Sequence, residues 1–171
     1  MNNLINQDFR KYLAELLGTF TLTLVVSLAI SSPLGAIVPI LAAITVALFV
    51  YTIGWVSGAH LNPAVTVGAW SIGKIKTQAG LGYLLAQFAG AAIAALLVSK
   101  ILGLTIPVAV SVAGWKALSL VALAEAVGAF FFVFGIAAVV YGKVHEAARG
   151  LVIGLSLLLG IIFAAGFGSS G

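Results

Sequence analysis

Ser57-Gly58-Ala59-His60-Leu61-Asn62-Pro63-Ala64-Val65-Thr66-Val67-Gly68 is the stretch on which the fold turns. Its start is too polar and too rich in glycine to cross lipid comfortably. The apolar run behind it, residues 64–72, is too short to cross. Asn62 followed by Pro63 signals a helix start. Asparagine suits the N-cap, and proline suits the first helical position, where its missing N–H would be unpaired anyway. The segment reads as a re-entrant half-helix entered through an irregular strand. Irregular backbone is tolerated at membrane depth only where it lines a wet cavity or is buried in protein. The competing reading is a capped helix in a loop on the membrane surface.

The rest of the chain supplies the membrane context. Of its 171 residues, 63% are hydrophobic and only 7% charged, against about 25% charged in ordinary soluble domains. Apolar runs near residues 12–31, 34–56, 79–102, 117–141 and 148–167 each approach the ~20 residues needed to cross the hydrocarbon core. Short polar breaks separate them. The composition is uniform, so the chain reads as one domain, an all-α membrane protein with five spans plus one re-entrant half-helix. Arg10, Lys11, Lys74, Lys76, Lys143 and Arg149 fall on one side if the spans alternate; Lys100 and Lys116 fall on the other. That imbalance predicts a cytoplasmic N-terminus, and a plasma-membrane location is expected.

Several function classes drop out. There is no cysteine, hence no disulfide framework and no thiol chemistry. Eight basic residues spread along the chain give no basic face for nucleic acid. There is no phosphate loop, and the two histidines form no metal-ligand cluster, so neither an enzyme, nor a metal, nor a cofactor is expected.

The chain also repeats itself. Ala14-Glu15-Leu16-Leu17-Gly18-Thr19-Phe20 matches Ala124-Glu125-Ala126-Val127-Gly128-Ala129-Phe130 in the pattern Ala-Glu-x-x-Gly-x-Phe. Three crossings separate the two starts, so the second unit is inverted relative to the first, a plan that puts a solute site between the repeats. Repeat one covers about residues 11–102, and an incomplete repeat two covers about 116–171. Small residues at four-residue spacing, Gly82, Ala86, Gly90 and Ala94 and then Gly150 and Gly154, suit close helix packing in lipid.

A half-helix that starts near the midplane points its positive end into a pore. Asn62 would offer its amide to a passing oxygen, and the carbonyls of Gly58, Ala59, His60 and Leu61 would offer acceptors. A cation would be repelled and a neutral polar solute accommodated. Glu15 and Glu125 are the only acids deep in spans, where carboxylates usually mark function. They suit either a proton relay or a structural role.

The segment resembles the first signature loop of the aquaporin (major intrinsic protein) family. Glu15 with Gly18-Thr19-Phe20, Gln87 with Gly90-Ala91, Glu125 with Gly128, and Ile153-Gly154-Leu155 agree with the same family. The resemblance covers nearly the whole chain. It implies a right-handed bundle of six helices with inverted repeats, two half-helices meeting at Asn-Pro-Ala ends, and homotetramers with one pore per subunit. It implies that Asn62, Pro63 and Ala64 contact solute and that His60 supports the loop. It also implies that Glu15, Glu125 and Gln87 anchor re-entrant loops. The family's narrow filter maps to Ala42 and Ile161. Strict water channels usually carry an aromatic residue and a histidine there, so this filter is expected to be wider and less polar.

One departure stands out. Offsets of 110 or 113 place the second Asn-Pro-Ala at 172 or 175, beyond Gly171. The second signature, its following arginine and the sixth helix are therefore expected to be missing. Three readings follow: a passive channel for water and small neutral solutes such as glycerol, urea or ammonia; a proton-coupled transporter using Glu15 or Glu125; and a non-conducting fragment.

Overall fold

The computed structural model describes residues 2–104 and 115–168. Among them are six α-helices and no strand: α1 (Asn2–Ile30), α2 (Val38–Ser57), α3 (Pro63–Ser71), α4 (Thr77–Leu96), α5 (Trp115–Val140) and α6 (Arg149–Gly168). Five stretches are long and apolar enough to cross a membrane: Asp8–Ile30, Pro33–Ser57, Thr77–Ile101, Leu118–Val140 and Glu146–Gly166. The nine-residue α3 is far shorter. The chain is a helical membrane protein, with five membrane-capable helices among the described residues.

Local chemistry sets the boundaries. Helix α1 starts at Asn2, ten residues before the apolar run, because a helix can continue out of lipid with its backbone bonds intact. An ion pair one turn apart, Lys11 to Asp8 at 3.3 Å, supports that polar end. At the other end of α1, Pro33 cannot continue the helix. The Ser32 hydroxyl instead caps a 3-10 turn, Pro33–Ile37, by accepting from Leu34 N. Gly58 stops α2 in the left-handed region, at φ 93°. Asn62 opens α3: its Oδ1 accepts from Ala64 N at 2.8 Å, with Pro63 in the first turn. The α4 axis continues through one π turn, Leu97–Ile101. A 3-10 turn, Glu146–Ala148, capped by His145, leads into α6. Most of the break at 103–116 and the Ser170-Gly171 pair lie outside the described residues.

Helix α1 packs on α4 and α2, α2 on α6, and α5 on α6. The small-residue ladders make these contacts close. Gly82 faces the Tyr12 ring and Gly90 faces the Leu16 carbonyl, so α4 lies tight on α1. A methyl group on Gly154 would come within 2.6 Å of the Ala43 carbonyl oxygen on α2. Without a hydrophobic force between helices in lipid, such contacts hold a bundle by van der Waals packing. The Tyr51 hydroxyl adds a polar clasp between α2 and α6. It donates to Ala147 O at 2.8 Å and accepts from Leu151 N at 3.1 Å. Large apolar side chains such as Leu85, Phe88 and Ile44 cover the outside.

Candidate functional site

Between α2 and α3 the backbone takes a conformation that few sequences accept. Gly58, Ala59 and Leu61 all have positive φ, at 93°, 49° and 50°. For the two non-glycine residues that costs about 1–2 kcal/mol each. The geometry turns successive amides to one side, forming a nest that suits an anion. The anion is the carboxylate of Glu15, fully buried on α1. Its Oε1 accepts from Ser57 Oγ at 2.6 Å and His60 N at 3.0 Å. Its Oε2 accepts from Leu61 N at 2.7 Å and Gln87 Nε2 at 2.9 Å. Hydrogen bonds to a charged group contribute about 1.5–3 kcal/mol each, enough to offset the backbone strain.

A second ring of contacts fixes the first. Gln87 Nε2 also donates to Thr66 Oγ1 at 2.9 Å, and His60 Nδ1 lies 3.1 Å from the same hydroxyl. Tyr83 donates its hydroxyl to the Ser57 carbonyl at 2.7 Å and meets the His60 ring edge-on at 5.2 Å. Ala59 N donates to Ser57 Oγ. The Leu61 side chain fills the space opened by Gly18 on α1. The amides of residues 59–61 are thus all committed inward. Among the described residues, no donor reaches the carbonyl oxygens of Gly58, Ala59, His60 or Leu61. The Asn62 side chain caps α3 through Oδ1, which leaves its Nδ2 donor without a described partner.

Glu15, Gln87, His60 and Leu61 therefore meet in one network, and Gly58, Ala59, Asn62 and Pro63 lie along it. Ala64 is exposed in the first turn of α3. Three other residues singled out in the sequence lie apart from the network. Ala42 is buried in α2 and Ile161 is half-buried in α6, and neither is hydrogen-bonded to the loop. Glu125 is exposed on α5 and makes no hydrogen bond to a described residue. Sequence reasoning passed over Thr66, Tyr83 and the Ser57 hydroxyl. Thr66 lies four residues after Asn62, and Tyr83 four before Gln87, spacings that put each pair on one helix face. Polar residues at that spacing beside a re-entrant segment were the available signal.

Comparison with known proteins agrees with this architecture. The sequence pattern of the major intrinsic protein family matches residues 4–171. The probable aquaporin AqpM of Archaeoglobus fulgidus is 36% identical over 124 residues, covering 67% of this chain and 49% of the relative. Aquaporin Z of Bradyrhizobium diazoefficiens is 33% identical over 171 residues, covering 89% of this chain and 71% of the relative. Glycerol uptake facilitator protein-like 6 of Lactiplantibacillus plantarum is 39% identical over 87 residues, covering 50% of this chain and 40% of the relative. The alignment thus spans about half the length of the archaeal relative. With a family pattern over nearly its whole length and five membrane-capable helices, the chain is a multi-pass integral membrane protein belonging to the major intrinsic protein family.

Proposed function

We propose that this chain belongs to a passive transmembrane channel for water and small neutral solutes. The observation that carries the reading is the one-sided commitment of residues 58–61. The amides of residues 59–61 turn inward to Glu15 and Ser57, and that of Gly58 closes α2, while the four carbonyls accept nothing from the described residues. An unpaired backbone carbonyl facing hydrocarbon costs several kcal/mol, so these oxygens face water. They form a ladder of acceptors that ends at the Asn62 Nδ2 donor. The positive end of α3 behind Asn62 disfavours cations without hindering neutral molecules. Glu15 is a positioning residue in this account: four donors converge on it, and it holds the loop while the loop meets the solute.

Alanine at 42 and isoleucine at 161 leave a wide, weakly polar filter, so glycerol, urea or ammonia pass with water. The relatives' names point the same way, to water and to glycerol. Glu125 anchors a second re-entrant segment on the α5 face. The protein is a homotetramer in the plasma membrane; six basic residues at one end against two at the other favour a cytoplasmic N-terminus. Stopped-flow light scattering on proteoliposomes tests the channel, using the chain continued past residue 175. The expected result is rapid water flux and measurable glycerol flux, neither of them dependent on a proton gradient. Water flux with no glycerol, urea or ammonia flux would overturn the wide filter. Flux that requires a proton gradient would overturn the passive channel.

A further inference from the structure

Helices α3 and α5 end in the same way. Gly73 takes φ 71°, with Gly73 N donating to Trp70 O and Lys74 N to Ala69 O. Gly142 takes φ 68°, with Gly142 N donating to Val139 O and Lys143 N to Ala138 O. Both are Schellman caps, which need a left-handed residue and so favour glycine. In each, the next residue is a lysine whose backbone the cap fixes. Gly103, at the far end of the α4 axis, makes a similar cap at φ 64°, with Leu104 N donating to Val98 O. There the next residue is leucine. The lysines are thus a property of one end of the bundle rather than of the cap.

The Lys74 side chain also reaches the end of α5 that carries the second cap. Lys74 Nζ does not fold back on the carbonyls of α3. It lies 4.8 Å from the centre of the Tyr141 ring on α5, two residues before Lys143. The same end carries Arg10, which lies 5.9 Å from the centre of the exposed Trp55 ring, and Lys76 at the start of α4. Its two acids are already paired, Asp8 with Lys11 and Glu146 with Arg149 at 3.0 Å. Lys74, Lys76, Lys143 and Arg10 have no acidic partner among the described residues. Tyr141 is exposed and stands at the polar end of an apolar span, the level at which aromatic residues meet phospholipid headgroups.

We propose that the paired caps Gly73-Lys74 and Gly142-Lys143, with Tyr141 beside Lys74, bind the phosphate of an anionic phospholipid headgroup at this end of the bundle. Fixed backbone at both lysines lowers the entropy cost of gathering two ammonium groups around one phosphate. The apolar outer surface of α5 beneath Tyr141, including Phe134 and Phe130, receives the acyl chains. Anionic lipid is favoured over a soluble anion because the cluster sits directly above lipid-facing surface.

The chain purified in neutral detergent is titrated with phosphatidylglycerol or phosphatidylcholine, and bound lipid is counted by native mass spectrometry. Phosphatidylglycerol is expected to bind more tightly. The double variant Lys74→Gln/Lys143→Gln is expected to weaken it by about fivefold per lysine while leaving phosphatidylcholine unchanged. Lys100→Gln, at the opposite end, is expected to change neither, and circular dichroism checks that each variant keeps its helix content. Unchanged phosphatidylglycerol affinity in the double variant would overturn the site. So would an equal loss for both lipids, which would mean that the lysines only stabilise helix ends. Displacement of phosphatidylglycerol by millimolar inorganic phosphate would overturn the lipid assignment in favour of a soluble anion.

Discussion

Glu15 and Glu125 hold the same place in the same seven-residue pattern, yet their surroundings are opposite. Glu15 is fully buried, with four donors on its two oxygens. Glu125 is exposed and unbonded among the described residues. The alanine that opens each pattern does not distinguish them, since Ala14 and Ala124 are both buried. The difference lies on the face that α1 turns to α4 and to the loop at residues 58–61. Phe20 on that side is half-buried, whereas Phe130 is 62% exposed. The glycines diverge too: Gly18 makes room for the Leu61 side chain, whereas Gly128 lies against the backbone of Gly160 on α6. The pattern is therefore a socket rather than a site. What fills it decides whether its carboxylate is an anchor or an uncovered charge.

The sharpest way to break this comparison is to remove each carboxylate. Glu15→Ala leaves two loop amides, Ser57 and Gln87 without their shared acceptor. It is expected to cost about 3–5 kcal/mol, as loss of one partner from a buried charged network does. Glu125→Ala in the same chain is expected to cost under about 0.5 kcal/mol. Denaturant unfolding in detergent micelles, followed by circular dichroism, compares the two. Equal losses would show that the two sockets are equivalent after all. A chain continued past residue 175 sharpens the test, because a docked second loop would make Glu125→Ala costly as well.

The glycines reverse the ranking. Gly128→Ala puts a methyl group 2.6 Å from the Gly160 carbonyl oxygen, a backbone atom that cannot swing aside. Overpacking of that kind costs about 1–3 kcal/mol. Gly18→Ala meets the far end of the flexible Leu61 side chain, so it is expected to cost less. The same unfolding measurement decides it, and a larger loss at Gly18 would mean that Leu61 is locked in place.

Much of the fold was legible because lipid is a strict solvent. A span needs about twenty apolar residues, so the five runs and the breaks between them could be read directly. The start of α3 was legible for a local reason, since Asn62 and Pro63 are cap chemistry at adjacent positions. The polar start of α1 at Asn2 was not, because no hydrophobic period marks a helix that leaves the membrane. Within the site, Glu15 and Gln87 attracted notice as polar groups in apolar runs. Thr66 and Tyr83 did not, because a threonine in a half-helix and a tyrosine in a span are unremarked by composition. Their partners lie 21 and 26 residues away. The clasp of Tyr51 on α6 spans 96 residues and left no local trace. The left-handed conformations of Ala59 and Leu61 were equally hidden, since neither residue type favours them.

If the loop before α3 borders water at membrane depth, its side chains are open to aqueous reagents, and the absence of native cysteine makes that accessible to labelling. Single cysteines placed at His60, at Ala64 and at Leu85, which is 73% exposed on the outer face of α4, are reacted in reconstituted vesicles with a small, charged, membrane-impermeant thiol reagent. The account predicts labelling at positions 60 and 64 and none at 85, with circular dichroism confirming that each variant is folded. Positions 60 and 64 as inert as position 85 would contradict it.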